Sequence, residues 1–429
     1  MNRYYLVDCN NFYVSCERVF DPTLHKKPVV VLSSNDACVI ARSNEVKALG
    51  IQMGAPAFEC ETLFKKHKVL VYSANFALYG DMSSRVMQTL TECATDIELY
   101  SVDEAFLFIP NYINTDSSAK TYHLAYAHYI RMRVKQETGI PVSVGIGNTK
   151  TLAKIANRLA KKNPYHNGAF DITDHPDIDK YLASIDIGDV WGIGHRYATL
   201  LQNHNIMNAR DFKYADETWV RKNMTLVGLK TLLELRGIPC LPLTDGPEAK
   251  QSITVSRSFG QKVTELRDAK EALASYVSTA AEKLRAQHSL TTHLTVYAVT
   301  TRYHDPLNYF QSARIQLPIA TDYTPDLIAA AQTCLEKIFK KGFIYKKVGI
   351  LCTDLVPNNF LQTSTIVPIK KNILKQTRSI KTIDSVNNKW GRNTLFFAAL
   401  GTNQPWKMHQ ARKSACFTTN WHELLTIHL

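Results

Sequence analysis

Three carboxylates set in apolar, strand-forming sequence constrain this chain more than any other feature. Asp8 ends the run Tyr4-Tyr5-Leu6-Val7, and Asp103-Glu104 sit inside the run from Ile97 to Ile109. Aromatic and β-branched residues at this density make buried strands, and a buried strand tolerates a carboxylate only with a partner. Adjacent carboxylates repel one another most where water is scarce. A shared hard divalent cation removes that conflict. Mg²⁺ takes a few carboxylates plus water and phosphate oxygens, so the pattern points to phosphoryl transfer.

The chain has 429 residues, enough for several domains. Its 51 Lys+Arg against 38 Asp+Glu leave a formal charge of +13, which favours a nucleic-acid partner. The nine cysteines are scattered and form no C-x-x-C, so neither a zinc ribbon nor a disulfide framework is expected. The start Met1-Asn2-Arg3-Tyr4-Tyr5 runs straight into a strand, without a signal-peptide pattern. No apolar stretch is long enough to span a bilayer. A cytoplasmic protein without a membrane partner is the expectation.

Residues 4–8, 97–109 and 142–147 read as strands, and a helix is predicted over 150–162. In that helix Leu152, Ile155 and Leu159 share one side, while Lys150, Lys154, Arg158 and Lys161 form a basic stripe on another. Such a stripe is ordinarily a solvated face. Residues 173–242 shift to short helices and turns, and 243–250 read as a linker rich in Pro, Gly and Asp. From 251 the order is strand, helix, strand, strand, helix, strand, the ferredoxin-like β-α-β-β-α-β succession. Gly192-Ile193-Gly194 between helical pieces fits a helix-hairpin-helix turn, in which backbone N–H groups meet a DNA phosphate, and fits an ordinary tight turn equally well.

The segment from Asp8 to Glu17 resembles the first motif of the Y-family, lesion-bypass DNA polymerases. Tyr100-Ser101-Val102-Asp103-Glu104-Ala105-Phe106 resembles their second motif. Ser143–Gly147 together with Thr151–Asn157 resembles the third, in matching order and spacing. Val39–Arg42, Lys47–Gly50, Val190–Gly194, Ser256–Gly260 and Trp390–Leu395 are similar to the UmuC-type branch, the catalytic subunits of bacterial DNA polymerase V. The resemblance covers nearly the whole chain. It implies an α+β right-hand polymerase with a ferredoxin-like palm (1–172, small fingers inserted at about 13–79), a helical thumb (173–242), a βαββαβ little finger (251–355) and a C-terminal tail (356–429).

The same resemblance implies template-directed, error-prone translesion synthesis in the DNA damage (SOS) response. Asp8, Asp103, Glu104 and the Cys9 backbone carbonyl would hold two Mg²⁺ ions, one activating the primer 3′-hydroxyl and one binding the triphosphate. Tyr13 is assigned as the steric gate that excludes a ribose 2′-hydroxyl. Lys161, Lys47 and Arg42 are assigned to the triphosphate. Ala41, Asn44 and Lys47 depart from the hydroxyl residue, tyrosine and arginine usual in the fingers, and lysine offers a point charge without arginine's fork. Gly192, Gly194, Arg257, Arg302, Arg314, Lys346 and Lys347 are candidates for DNA backbone contact. Lys150, Lys154 and Arg158 are expected to be solvated or touching DNA.

The partners implied are primer-template DNA, dNTPs, a cleaved UmuD-like dimer and RecA. Val356–Gln362 lacks the usual Gln-Leu-x-Leu-Phe-like clamp peptide, so the resemblance to relatives that bind the sliding clamp stops there. Taken alone, each acid also fits a structural salt bridge or a helix-cap role. A DNA-binding protein that keeps the fold without the activity, and a palm-based enzyme such as a nucleotide cyclase, are the competing readings.

Overall fold

The computed structural model describes residues 3–109, 116–244, 246, 249–300, 309–358 and 373–425. They form two compact units, one of 1–32, 38–247 and 412–429 and one of 33–37 and 248–411. No helix among the described residues is long and apolar enough to cross a membrane.

The first unit opens with β1 (Arg3–Cys9) and α1 (Phe12–Phe20). A small sheet follows, of β2 (Val29–Leu32), β3 (Val39–Arg42), then α2 (Asn44–Ala48), α3 (Ala57–Lys66) and β4 (Leu70–Ser73), in the order β3-β2-β4. Helix α4 (Phe76–Thr91) returns the chain to β5 (Asp96–Leu99) and β6 (Glu104–Ile109); α5 (Asp116–Thr138), β7 (Val142–Gly147), α6 (Lys150–Lys162) and β8 (Ala169–Asp171) complete a five-stranded sheet ordered β5-β6-β1-β7-β8. Tyr5, Val7 and Cys9 share one core with residues of α1, α4 and α5. Tyr4 and Leu6 point the other way, onto Phe106 and Ala153. Asp8 follows the latter parity and faces α6.

Two expectations are corrected here. The run 97–109 is not one strand: Tyr100 and Ser101 both donate backbone N–H bonds to the Glu104 carbonyl (3.1 Å each), closing a turn between β5 and β6. The turn carries Asp103 out of the ladder, while Glu104 becomes the first residue of β6. The basic stripe is not a free surface either. Lys150 is only 3 % exposed, and its ammonium bonds Glu98 (2.5 Å) and the Pro242 carbonyl (2.7 Å). Lys154 pairs with Glu104 (3.0 Å) and Arg158 with Asp189. All three cations find carboxylates distant in sequence; Lys150 and Lys154 are withdrawn from solvent, while Arg158 stays about a third exposed beside Asp189.

Helix α6 lies hard against β7: a Cβ at Gly145 would stand 2.1 Å from the Asn157 backbone nitrogen. Asn157 also donates to the Leu6 and Ser143 carbonyls (3.2 and 2.8 Å). The helix N-terminus is held from a distant element. Chain from α7 (Ile178–Ala183) through α8 (His195–Gln202) and α9 (Ala209–Lys213) reaches α10 (Glu217–Leu235), which is broken at Thr225 (φ 63°). The fully buried carboxylate of Glu234 in α10 accepts from the Thr151 N–H (3.0 Å) and from Cys240 (2.7 Å) and Leu241 (3.2 Å). An anion suits the positive end of a helix. Removing it strands one buried and two half-buried donors, so Glu234→Ala is expected to cost about 2–4 kcal/mol. Thermal unfolding checks this; an unchanged Tm would contradict it.

The second unit is built on β9 (Ile253–Val263), α11 (Leu266–Ala286), β10 (Ser289–Thr300), β11 (Phe310–Thr321), α12 (Thr324–Ile338) and β12 (Tyr345–Pro357), followed by α13 (Ile373–Trp390). The expected β-α-β-β-α-β succession is present as one antiparallel sheet ordered β11-β10-β12-β9. Leu294, Val296, Val348 and Ile350 pack under α11 and α12 in a common core.

Candidate active site

The two motif acids at strand ends are brought together by register. β1 lies between β6 and β7, with Asp8 opposite Glu104 on one side and Ser143 on the other. The Cys9 N–H donates to the Asp103 carbonyl (2.8 Å), fixing the turn against the end of β1. Asn11 takes a left-handed conformation (φ 48°, ψ 47°) at the start of α1. Asparagine tolerates it better than most residues, and it lets the chain pass from strand to helix within two residues. Tyr13 therefore lies in the first turn of α1, lining the same cleft as Asp8.

Lys154 and Lys161, seven residues apart on α6, stand over the carboxylates on its face of the sheet: Lys161 pairs with Asp8, Lys154 with Glu104. The Lys154 ammonium also lies over the rings of Tyr100 (4.5 Å) and Trp191 (5.2 Å). Burial pushes the Asp8 carboxyl up to about 6; Lys161 opposes that rise and Glu104 adds to it. The Asp103 carboxylate accepts from the Ser101 hydroxyl (2.6 Å). Among the described residues, no three His, Cys, Asp or Glu side chains stand at the spacing of a single ion. The donor chemistry nevertheless fits a hard cation: Asp8, Asp103 and Cys9 line one cleft, all offering oxygen, and the Asp8 carboxyl stays raised by burial even with Lys161 beside it.

That cleft encloses about 720 Å³. Its other walls come from Tyr13, Ala41, Arg42, Asn44, Lys47 and Lys161. Lys47 donates to Asn11 Oδ1 (2.6 Å), and Asn11 donates to Asn44 (3.1 Å). Arg42 donates to the Ile51 carbonyl (2.5 Å), while its buried Nε has no partner among the described residues. Burial lowers the Lys47 pKa, and the charges of Arg42 and Lys161 lower it further. Three cations that disfavour one another across a cleft make a site for a polyanion. Tyr13 stacks on Tyr79 (4.6 Å, 15°) and meets Phe76 edge-on (5.9 Å, 85°), so its ring is wedged rather than free.

Gly192 adopts φ 89°, and a Cβ there would come within 2.8 Å of the Thr231 hydroxyl. Gly194 caps α8 without a side-chain partner and with open space around it. In the second unit Arg257 and Lys346 are exposed, Lys346 being the extra residue where β12 bulges against β10. Arg257 lies near enough to Tyr276 and Lys283 of α11 to influence both, on the helical side of the sheet. Arg314 and Lys347 lie on the side opposite the core, with Arg314 paired to Asp354 (2.9 Å). Arg302 falls outside the described residues, as does part of the 356–362 segment.

The sequence reading missed Asn11, Tyr79 and Phe76. Asn11 had a visible signal, a left-handed-tolerant residue between a strand and a helix. Tyr79 and Phe76 had none, since their role depends on where α4 packs.

The protein-family comparison matches the impB/mucB/samB family over residues 7–158 and its C-terminal domain over 250–365. The family's HHH motif matches 175–206, and a domain of unknown function (DUF4113) matches 380–427. The chain is 38% identical over 426 residues to the protein UmuC of Salmonella typhimurium strain LT2, covering 98% of this chain and 99% of the relative. It is 37% identical to the protein ImpB of Salmonella typhimurium, over 98% of each chain. A DNA polymerase IV of Moorella thermoacetica is 25% identical over 91% of this chain and 94% of its own. Among solved structures, a Y-family DNA polymerase chimera of Dbh and Dpo4 superposes with a TM-score of 0.66 at 20% identity, over 83% of this chain and all of the chimera.

Proposed function

The chain belongs to the impB/mucB/samB family, the UmuC-type Y-family DNA polymerases, and from that membership we propose how its own residues carry out synthesis. It is a DNA-directed DNA polymerase performing error-prone translesion synthesis. Divalent-metal dependence comes with the family; the finer proposal is two Mg²⁺ ions held by Asp8, Asp103, Glu104 and the Cys9 carbonyl. Bound there, Mg²⁺ supplies charge neutralisation to the triphosphate and acidity to the primer 3′-hydroxyl.

The observation that carries this reading is the Asp8–Glu104 register pair beside a cleft that Lys47, Arg42 and Lys161 also line, Lys161 on the Asp8 carboxylate itself. The cations bind the dNTP triphosphate, and Lys161 exchanges its ion pair with Asp8 for phosphate oxygens as the nucleotide enters. Tyr13 closes the sugar end of the cleft and rejects a 2′-hydroxyl. Residues 1–172 form the palm with fingers from about 13 to 79, 173–242 the thumb, 243–250 a linker, 251–355 the little finger and 356–429 the tail. Gly192 and Gly194 bring the N-terminus of α8 to a DNA phosphate, and Arg257 and Lys346 contact primer-template DNA from the little finger. A cleaved UmuD-like dimer and RecA are the proposed protein partners, in the cytoplasm.

Single-nucleotide insertion on a primed template tests the proposal. Each template base should direct its complement, and withholding the template strand should abolish product. Product formed without a template would favour a cyclase-like enzyme instead.

A further inference from the structure

The described tail ends in a segment that belongs to the first unit, and it docks there through built contacts. Ser73 and Arg412 exchange hydrogen bonds, the Ser73 N–H to the Arg412 carbonyl and the Arg412 N–H to the Ser73 hydroxyl (both 3.0 Å). Asn75, fully buried at the N-cap of α4, donates to the Ser414 carbonyl (3.0 Å), the Ser414 hydroxyl (3.1 Å) and the Ala415 carbonyl (3.1 Å). Phe417 stacks on Phe20 of α1 (4.9 Å, 13°). Glu423 folds back to accept from the Cys416 N–H (2.5 Å) and the Asn420 side chain (2.7 Å), which gives the segment a shape of its own.

The Ser414 hydroxyl donates to Oε1 of Glu17 (3.0 Å), and so does the hydroxyl of Tyr79 (2.5 Å). Glu17 is 2 % exposed, and burial raises its pKa against the pull of those two donors. A carboxylate in such a position depends on its donors for orientation. Tyr79, buried in α4, stacks on Tyr13. Tyr13 and Glu17 are four residues apart on α1 and so share one helix face, the face turned to Tyr79. Ser414, Glu17, Tyr79 and Tyr13 thus form one continuous chain of contacts from the tail to the sugar end of the cleft.

We propose that residues 412–423 are a positioning element of the sugar gate: through Ser414, Glu17 and Tyr79 they fix the Tyr13 ring, so that exclusion of ribonucleotides depends on tail docking. The matched domain of unknown function thereby acquires a role inside the catalytic unit. The inference rests on the reading of Tyr13 as the gate. Without the Ser414 hydroxyl, Glu17 loses one of two donors and turns. Tyr79 follows its acceptor, and Tyr13 loses the flat surface that holds it upright.

The test is the ratio of kcat/KM for dNTP over rNTP, measured on the full chain for wild type, Tyr13→Ala, Ser414→Ala and Ser414→Thr. Ser414→Ala should lower the ratio about 3- to 10-fold, the scale of a lost hydrogen bond to a charged group. Its dNTP kcat/KM should stay within about 3-fold of wild type, and Ser414→Thr, which keeps the hydroxyl, should recover most of the discrimination. A wild-type ratio in Ser414→Ala alongside a lost ratio in Tyr13→Ala would overturn the tail's role and leave the gate standing. Equal loss for both sugars would overturn it too, as a merely structural effect. A wild-type ratio in Tyr13→Ala would overturn the gate reading itself. Should Ser414→Ala fail to fold, Tyr79→Phe removes the same link from the other end and is expected to give the same selective loss.

Discussion

Asp8→Asn should abolish template-directed extension, by about 10³-fold or more, while leaving the metal-free protein at least as stable as wild type. The activity loss follows from removing a charged oxygen ligand, where about 4 kcal/mol of transition-state stabilisation corresponds to that factor. The stability effect has the opposite sign because burial holds the Asp8 carboxyl near 6, well above its ordinary value. A folded-state pKa above the unfolded one contributes stability below the unfolded pKa, and that contribution disappears as pH rises through the folded pKa. At neutral pH the ionised Asp8 therefore burdens the fold by up to about 3 kcal/mol, which an asparagine avoids. In EDTA, Tm of the variant should equal or exceed that of wild type above about pH 6. The difference should shrink as pH falls from there toward 4. Added Mg²⁺ should raise Tm in wild type more than in the variant, since a ligand stabilises only the state that binds it. A variant markedly less stable than wild type in EDTA would contradict this account of Asp8.

Tyr13→Ala should admit ribonucleotides, raising their relative kcat/KM by about 10- to 100-fold, because a close-packed wall typically charges about 1–3 kcal/mol for an added group. The wall is stiff for a visible reason. Tyr79 lies flat against the ring, while Phe76 meets it edge-on and Phe12 lies tilted beside it. Incorporation of dNTPs should change less, since the deletion opens space beside the sugar without touching Asp8 or the cations. Steady-state insertion of dCTP and rCTP opposite the same template guanine reads both. Equal discrimination in the two proteins would place the gate elsewhere.

The acids were legible because their chemistry conflicts with the strands that carry them, a conflict visible in residues alone. Helix α6 was legible to its ends: Thr149 caps it, accepting from the Leu152 N–H (3.2 Å), and the apolar period runs through Leu152, Ile155 and Leu159. Its stripe was misread because Glu98, Glu104 and Asp189 lie 31 to 52 residues from the cations they pair with. Periodicity assigns a residue to a face and says nothing of what stands opposite. The break at 100–103 was hidden for a related reason, since Tyr-Ser-Val has strand composition and only the two N–H bonds to the Glu104 carbonyl close the turn. Ser414 and Glu17 meet across 397 positions of chain, which no local pattern encodes.

Insertion opposite an abasic template site, in Mg²⁺, by wild type and Asp103→Asn tests the central claim most directly, with the cleaved UmuD-like dimer and RecA filament present for both. The account predicts that wild type adds a nucleotide and extends past the site, while Asp103→Asn does neither, on damaged and undamaged templates alike. Insertion by Asp103→Asn at the wild-type rate would contradict it, because the carboxylates at the mouth of β1 and β6 would then not be the centre of catalysis.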